Sequence, residues 1–465
     1  MSIVYRKIQQ IIGPLIFVKN QHDVQYGEIV NIRSDSGEDR IGQVIKIDEE
    51  IIIIEVFEDT KGLSAENSSI SFTENAFKIG ISEKDMFGRT FNSLGKPIDI
   101  KTKKVLNKEL LINLERDVFG SPINPFARDY PSDVIQTGIS AVDGLFTLIR
   151  GQKLPIFSGQ GLPHNDLAAQ IVSQAKVLSK EPFLIIFCGI GIIEDEAINF
   201  LSKFKEGGNI QNIISFINFA SDPIMERLLI PRVALTTAEY FAFEKDMHVL
   251  VIMIDMTNYA EALRELSSAK EEIPSRKGYP GYLYSDFASL YERTGKIKGR
   301  KGTITQIPIL TMPNDDISHP IPDTTGYITE GQLVLNRSMH KRGIYPPFDV
   351  LASISRLMKD AIGEKTTRED HADVSSQLLA SYSSALEVRD LISVVGEDSL
   401  TIDQKALLNY ADAFERDYIN QQTIENRNFD TTLSIAWEAL SNLSKNQLLR
   451  IHQDLIQRYY IEEVL

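Results

Sequence analysis

Cysteine is almost absent from this sequence of 465 residues, because Cys188 is the only one. One cysteine excludes an internal disulfide framework and is typical of a reducing cytosol. It ends an apolar run, so we interpret it as a buried small hydrophobe. The seven histidines lack H-x-x-x-H or C-x-x-C partners, and we therefore predict no metal site. The G-x-S-x-G motif of serine hydrolases is also missing.

Long apolar runs are missing as well. No stretch approaches the roughly 18–20 residues that a helix needs to cross a bilayer. The first residues have too little continuous apolar sequence for a secretory signal. We therefore predict that any association with a membrane goes through partner proteins.

Positive charge is scarce, with 49 Lys and Arg residues against 64 Asp and Glu residues and a net charge of −15. The resulting pI near 5.1 disfavours broad binding to nucleic acids, so we predict no nucleic-acid partner. A phosphate ligand stays possible, because a few local positive groups can dominate one pocket.

The first segment that the chain does contain, residues 1 to about 78, has the pattern of an all-β domain. Short β-branched runs at Ile11–Val18, Gly42–Ile47 and Ile51–Val56 are separated by turn-rich pieces. This spacing predicts a small N-terminal β-barrel.

The second segment, residues 79 to about 360, alternates short apolar runs with helical patterns. Pro182–Phe187 and His248–Ile254 are continuous apolar runs, typical of parallel strands covered on both faces. A short strand at Lys153–Phe157 precedes helical spacing over Asp166–Ser179. Strand–loop–helix repeats predict a doubly wound α/β domain.

The third segment, residues 361–465, is rich in helix formers. Helical patterns cover Val374–Leu391, Ile402–Tyr418 and Gln447–Tyr459, which predicts a C-terminal helical bundle. The predicted class is therefore a multidomain α+β protein with a barrel, a central α/β domain and a helical domain.

A degenerate phosphate-binding loop lies between the predicted strand and helix of the central domain. A working loop reads G-x-x-x-x-G-K-[ST], in which the glycines expose backbone N–H groups, the lysine neutralises phosphate charge and the hydroxyl binds Mg²⁺. Here Ser158 and Pro163 replace the glycines, His164 the lysine and Asn165 the hydroxyl residue. Pro163 also removes an N–H donor. The pattern favours a tight turn into a helix over phosphate chemistry.

Two further positions give mixed support for a central P-loop-like domain. Asp255 follows the apolar run that ends at Ile254, where a Mg²⁺-linked aspartate would be expected, although an acidic residue at a strand end is common. Ile192 follows Gly191 at the position where catalytic relatives carry a glutamate that activates water. Isoleucine neither accepts a proton nor orients water. We predict that the chain is not catalytic on its own.

Four stretches of the chain are informative together: GQKLPIFSGQGLPHND, HVLVIMIDMTNYAEALREL, EEIPSRKGYPGYLYSDFASLYERTG and TITQIPILTMPNDDISHPIPDTTGYITEGQ. They closely resemble the B subunit of vacuolar and archaeal-type (V/A-type) ATPases, and the similarity extends over nearly the whole sequence. The GLPHN loop is itself typical of that subunit.

This resemblance implies a non-catalytic, regulatory subunit at the cytoplasmic face of a membrane. Three B subunits would alternate with three catalytic A subunits in an A3B3 ring, around central rotor shaft subunits and beside peripheral stalk subunits. A membrane sector would move H⁺ or Na⁺. No cofactor would be bound tightly by this chain itself, and MgATP or MgADP would lie at the A/B interface.

The resemblance also implies one site residue. The family signature before its arginine finger reads approximately P-P-[LIV]-[DN]-x-L-P-S-L-S-R-L, and this chain has PPFDVLASISRL ending in Arg356 and Leu357. Phe348 and Ala352 depart from that pattern. Arg356 would contact the ATP phosphates at the A/B interface and act in trans. Without the resemblance, an arginine here would be interpreted as a solvated or salt-bridged residue.

Two other functions stay open at this point. An autonomous P-loop motor would need the lysine, hydroxyl and glutamate that are missing. A purely structural scaffold would leave Arg356 without a role in the chemistry. The acidic turn Val394–Leu400 resembles the family's segment that faces the rotor shaft, and an ordinary exposed helix–helix loop is the alternative.

Overall fold

A computed structural model gives the fold of this chain. It describes the backbone of residues 4–5, 8–20, 24–34, 37, 39–106 and 110–461, and the side chains of these residues except 4, 5 and 393–395.

The N-terminal part is a seven-stranded antiparallel sheet in the order β1-β7-β4-β5-β6-β3-β2. Alternation decides which side chains are buried: Val30 and Ile32 enter the core, whereas Asn31 and Arg33 between and after them are exposed. The strands are β1 (Val4–Tyr5), β2 (Ile8–Ile12), β3 (Leu15–Lys19), β4 (Ile29–Arg33), β5 (Asp39–Ile47), β6 (Ile51–Val56) and β7 (Ser69–Phe72).

One strand prediction in this part is wrong. The run Ile11–Val18 is not a single strand but a hairpin, in which β2 turns into β3 at Gly13 and Pro14. Gly13 takes a positive φ of 52°, which glycine adopts without a steric penalty. The β-branched residues on both sides therefore pair with each other.

The central part is built on a large, mainly parallel sheet in the order β22-β21-β14-β20-β18-β16-β17-β9, with β22 antiparallel to β21. The remaining strands are β8 (Lys78–Ile81), β9 (Thr90–Phe91), β10 (Leu114–Asp117), β11 (Arg128–Asp129), β12 (Val134–Gln136), β13 (Leu148–Ile149), β14 (Ile156–Gly159), β15 (Lys176–Val177), β16 (Phe183–Ile192), β17 (Ile213–Phe219), β18 (His248–Ile254), β19 (Gly295–Ile297), β20 (Thr303–Met312), β21 (Gly331–Val334) and β22 (Ile354–Ser355).

Helices cover both faces of this sheet and form the C-terminal part. They are α1 (Ser140–Leu145), α2 (His164–Gln174), α3 (Glu194–Glu206), α4 (Ile224–Phe243), α5 (Met256–Ala269), α6 (Leu283–Tyr291), α7 (Pro320–Ile328), α8 (Arg337–Lys341), α9 (His371–Val395), α10 (Ile402–Ala413), α11 (Phe429–Leu440) and α12 (Gln453–Tyr459). In the part of the chain that the structure describes, no helix is both long and apolar enough to cross a membrane.

The two faces of β16 show why its sequence is a continuous apolar run. Ile185 and Phe187 pack into the core formed with α2 and α3, whereas Leu184 and Ile186 pack into the core formed with α4 and α5. Both faces of the strand are therefore buried away from water. Cys188 lies in the second core, and burial raises the pKa of its thiol, which confirms its interpretation as a small hydrophobe.

Predicted boundaries differ from the observed ones where tertiary contacts override local propensity. The strand His248–Ile254 is as predicted. The helix predicted over Asp166–Ser179 already ends at Gln174, because Lys176 and Val177 pair with β12 instead. In the C-terminal part, α10 ends at Ala413 and a π-helical turn continues to Ile419.

Candidate functional site

Two backbone amides of the loop between β14 and α2 form hydrogen bonds within the loop. The amide of Leu162 donates to the carbonyl of Gly159 at 3.1 Å, and that of His164 donates to the carbonyl of Leu162 at 2.9 Å. Pro163 has no amide hydrogen and stands at the N-cap of α2 without a side-chain cap. These two amides and Pro163 therefore offer no free N–H group to a phosphate.

The side chains that replace the usual lysine and hydroxyl are engaged elsewhere. Nδ1 of His164 lies 2.9 Å from Oγ of Ser158, and Nδ2 of Asn165 donates to Oε1 of Glu196 at 2.8 Å. Ser158 is fully buried. Neither position offers a fixed positive charge or a hydroxyl to a metal-bound phosphate.

An ion pair that sequence reasoning missed lies against this loop. Arg337 donates to both carboxylate oxygens of Asp315, at 2.6 and 2.8 Å, and to the carbonyl of Gln160 at 2.8 Å. A Cβ atom on Gly159 would overlap the carboxylate of Asp315. The hydrogen bonds from Arg337 lower the pKa of Asp315, so this carboxylate is ionised at neutral pH. Because Arg337 and Asp315 neutralise each other, the pair brings no net positive charge to the loop for a phosphate.

The carboxylate at the end of β18 is held by three hydrogen bonds. Oδ1 of Asp255 accepts from the amides of Thr257 at 2.8 Å and Thr311 at 3.2 Å, and Oδ2 accepts from Oγ1 of Thr311 at 2.5 Å. Asp255 therefore caps α5 and joins β18 to β20. Ile192 is buried and cannot position water. These residues do not fit a Mg²⁺–triphosphate group, and we derive no catalytic step at this loop.

Arg356 lies immediately after the edge strand β22, and only part of its hydrogen-bonding capacity is used. Its amide donates to the carbonyl of Glu330 at 2.9 Å, and Nη1 donates to the carbonyl of Thr329 at 3.1 Å. The side chain is exposed. Within the part of the chain that the structure describes, it forms no ion pair, and Nε and Nη2 make no hydrogen bond. Two aligned donors are thus available to a ligand outside the chain.

The loop and Arg356 lie at opposite ends of the sheet. The loop follows Gly159 at the carboxyl end of β14, whereas Arg356 is held beside Thr329 and Glu330, before the amino end of β21. The amide of Glu330 donates to the carbonyl of Lys153 at 3.1 Å, which places both residues at one level of the sheet. An extended chain from Lys153 to Gly159 spans about 20 Å at about 3.3 Å per residue. A triphosphate held at the loop cannot contact Arg356 of the same chain.

Exposed apolar side chains occur in the segments that hold Arg356. Tyr327, near the end of α7, is 77% exposed, and Leu351 and Ile354 on the approach to Arg356 are also exposed. Apolar groups beside an unpaired arginine are typical of a surface that another protein covers.

The acidic turn of the C-terminal part is exposed. Helix α9 ends at Val395, Gly396 takes a positive φ of 81°, and Glu397 and Asp398 begin a short 3₁₀ turn that points into solvent. Buried Leu400 anchors the turn.

The fold and this loop define the class of ATP synthase alpha/beta proteins, and family models agree. The nucleotide-binding domain of that family matches residues 138–355, its beta-barrel domain matches residues 8–74, and the C-terminal domain of V and A type ATP synthase matches residues 360–460. The predicted fold class, with a barrel, a P-loop-like α/β domain and a helical domain, is confirmed. Its divisions at residues 78 and 360 stay predictions.

Individual relatives narrow the class. The chain is 52% identical to the V-type ATP synthase beta chain of Halothermothrix orenii and 53% identical to the B subunit of the A-type ATP synthase of Aeropyrum pernix, in each case over 98% of this chain and 97% of the relative. A solved structure of ATP synthase subunit NeqB from Nanoarcheaum equitans is 40% identical, with a TM-score of 0.72 over 92% of this chain and 98% of that one. The chain belongs to the family of V-type and A-type ATP synthase B subunits, as its sequence resemblance implies.

Proposed function

We propose that this chain is the non-catalytic, regulatory B subunit of the soluble sector of a rotary A/V-type ATPase or ATP synthase, and that Arg356 is its arginine finger. In this role the chain alternates with catalytic A subunits in an A3B3 ring. MgATP or MgADP lies at the A/B interface, bound mainly by the A subunit. Hydrolysis or synthesis of ATP is coupled to the movement of H⁺ or Na⁺ through a membrane sector.

The observation that carries this proposal is the separation of the two ends of the sheet. The loop of this chain does not fit a triphosphate, and Arg356 lies about 20 Å away with two donors unused. An arginine in that position acts on a nucleotide only if another chain brings the nucleotide to it. Exposed Tyr327 and Ile354 beside it support a covering partner.

The guanidinium group fits the chemistry of phosphoryl transfer. Negative charge develops on the equatorial γ-oxygens and on the leaving oxygen in the transition state. Arg356 would donate hydrogen bonds from Nε and Nη2 to those oxygens through the planar fork of its guanidinium group. Because the group belongs to a neighbouring subunit, the rate depends on how closely the two subunits approach. Rotor position can then control the chemistry.

The same role assigns further partners to this chain. The exposed acidic turn at Glu397 and Asp398 carries charge suited to basic side chains of central rotor shaft subunits. Peripheral stalk subunits would hold the ring, and the membrane sector would be contacted only indirectly. In this role the chain lies at the cytoplasmic face of a membrane as a peripheral component.

Reconstitution with the catalytic A subunit tests the proposal. The isolated chain should show no ATP turnover, and the mixture should hydrolyse ATP. With Arg356→Ala the ring should assemble, but kcat should fall by roughly 10³–10⁵, as for other arginine fingers. Turnover and the mass of the complex are measured on the same sample. If the intact variant complex turned over ATP like the wild type, the arginine finger would be wrong and the chain would be a purely structural scaffold. Turnover by the isolated chain would favour an autonomous ATPase.

A further inference from the structure

The backbone that holds Arg356 is a short link between α7 and β21. The carbonyls of Thr329 and Glu330 accept the two hydrogen bonds of Arg356, so the position of this link sets the position of the guanidinium group. Oγ1 of Thr329 donates to the carbonyl of Thr325 at 2.8 Å, which ties the link to α7. Gly331 follows with a φ of 147°, and a Cβ there would overlap the carbonyl of Ile354.

Gln152 connects both flanks of Arg356 from inside the protein. Its Nε2 donates to the carbonyl of Glu330 at 3.3 Å and to Oγ of Ser355 at 2.9 Å. Its Oε1 accepts from the amide of Ile149 at 3.0 Å. The side chain is fully buried, and its orientation is therefore fixed by these three bonds. The side-chain amide of Gln152 thus joins Glu330, just before β21, to Ser355, just before Arg356.

An ion-pair chain fixes the same link from the neighbouring position. Lys153, which is buried, contacts Glu330 at 3.0 Å and Glu292 at 2.7 Å, and Arg128 contacts Glu292 at 2.5 Å. The amide of Lys153 also donates to the Glu330 carboxylate at 2.8 Å. Two cations and two carboxylates balance each other, so Glu330 has little freedom to move.

We propose that Gln152 is a positioning residue for Arg356, an inference that rests on the proposed arginine finger. Because Gln152 is fully buried, it is out of reach of nucleotide and partner, and it acts by setting where the Arg356 guanidinium stands before the catalytic subunit binds. Without its two donors, the Glu330 carbonyl and Ser355 would lose a common anchor. A displacement of about 1 Å at a reacting centre can reduce a rate by about 10²-fold.

The test uses Gln152→Leu in the complex reconstituted with the catalytic subunit. Leucine has a similar size and removes the donors. We expect kcat to fall by about 10- to 100-fold while KM for ATP changes less than about threefold, because the finger acts on the transition state. Gln152→Glu, which keeps the shape and Oε1, and Ser355→Ala, which removes one acceptor, should lower kcat in the same direction.

A matched control separates positioning from general destabilisation. Gln306 on β20 is also a fully buried glutamine, and among the described residues its Nε2 donates to the carbonyl of Leu290 alone, at 3.3 Å. Gln306→Leu should lower thermal stability as Gln152→Leu does, but leave kcat within about threefold of wild type. Equal loss of kcat in both variants would reduce Gln152 to a structural residue and overturn the inference.

A double variant decides whether the effect of Gln152 passes through Arg356. In the Arg356→Ala complex, adding Gln152→Leu should cause no further loss of kcat, since coupled residues are not additive. A further tenfold loss would contradict the inference. If Arg356→Ala alone is as active as wild type, the proposed function fails. If Arg356→Ala is inactive but Gln152→Leu, Gln152→Glu and Ser355→Ala are fully active, only the positioning role fails.

Discussion

The two ends of the central sheet use their charged groups in opposite ways. At the loop end, Arg337 is paired with Asp315, and the carboxylate of Asp255 accepts three hydrogen bonds from Thr257 and Thr311. At the other end, Arg356 is exposed and uses only Nη1 of its guanidinium group within the described residues. A charged group with internal partners stabilises the fold, whereas one left with unused donors is available to another molecule. In the proposed function, this difference lets a chain whose own loop lacks the P-loop lysine and hydroxyl contribute Arg356 to phosphoryl transfer on another subunit.

The largest effect expected from a conservative change is at Arg356. Arg356→Lys keeps the positive charge but removes the planar fork, so we expect kcat of the reconstituted complex to stay roughly 10²-fold or more below wild type. Steady-state turnover measures this, with assembly checked by size. Recovery to near wild-type rate would mean that charge alone suffices, and the geometric role of Nε and Nη2 would be wrong.

Glycine replacements at the two ends should have unequal effects. Gly331→Ala introduces a Cβ that overlaps a backbone carbonyl, so we expect the free energy of unfolding to fall by about 3 kcal/mol. Gly161→Ala at the loop has an unfavourable φ of 79° but open space around its Cβ, so we expect only about 1 kcal/mol. Denaturant unfolding of the two isolated variants measures both values. A larger loss at Gly161 would contradict the packing described for β21 and β22.

The smallest effect is expected from repairing the loop. The isolated chain should bind MgATP more weakly than a Kd of about 1 μM, which corresponds to about −8 kcal/mol. His164→Lys should change this Kd little, because Pro163 still supplies no N–H donor and Arg337 stays paired with Asp315. Hydrolysis should stay absent as well, because Ile192 supplies no base. Calorimetry compares His164→Lys with the double variant that adds Asp315→Asn. Hydrolysis by His164→Lys alone would show that the loop retains more of its chemistry than its geometry indicates.

Much of the fold could be predicted because its signals are local. The strand His248–Ile254 is a continuous apolar run, and its bounds are as predicted. The end of α2 could not be predicted, since pairing of Lys176 and Val177 with β12 is a tertiary contact. The degenerate loop could be predicted from the sequence, because each missing P-loop group corresponds to one replaced residue.

The ion pair that lies against that loop could not be predicted, since Asp315 and Arg337 come from parts of the chain distant from it. Asp315 follows β20 and Arg337 begins α8, and only the order of β14 between β20 and β21 brings both residues to Gly159. The same strand order places Arg356 at the far end. The sequence resemblance pointed to Arg356, but its distance from the loop could be known only from the register of β21 and β22.

The most direct test of the central claim compares two arginines of one complex, one at each end of the sheet. Arg337→Ala and Arg356→Ala are each reconstituted with the catalytic subunit, and kcat is measured at saturating MgATP. We predict that Arg337→Ala stays within about threefold of wild type, whereas Arg356→Ala falls by roughly 10³-fold or more. Equal activities of the two variants, or a greater loss with Arg337→Ala, would contradict the account.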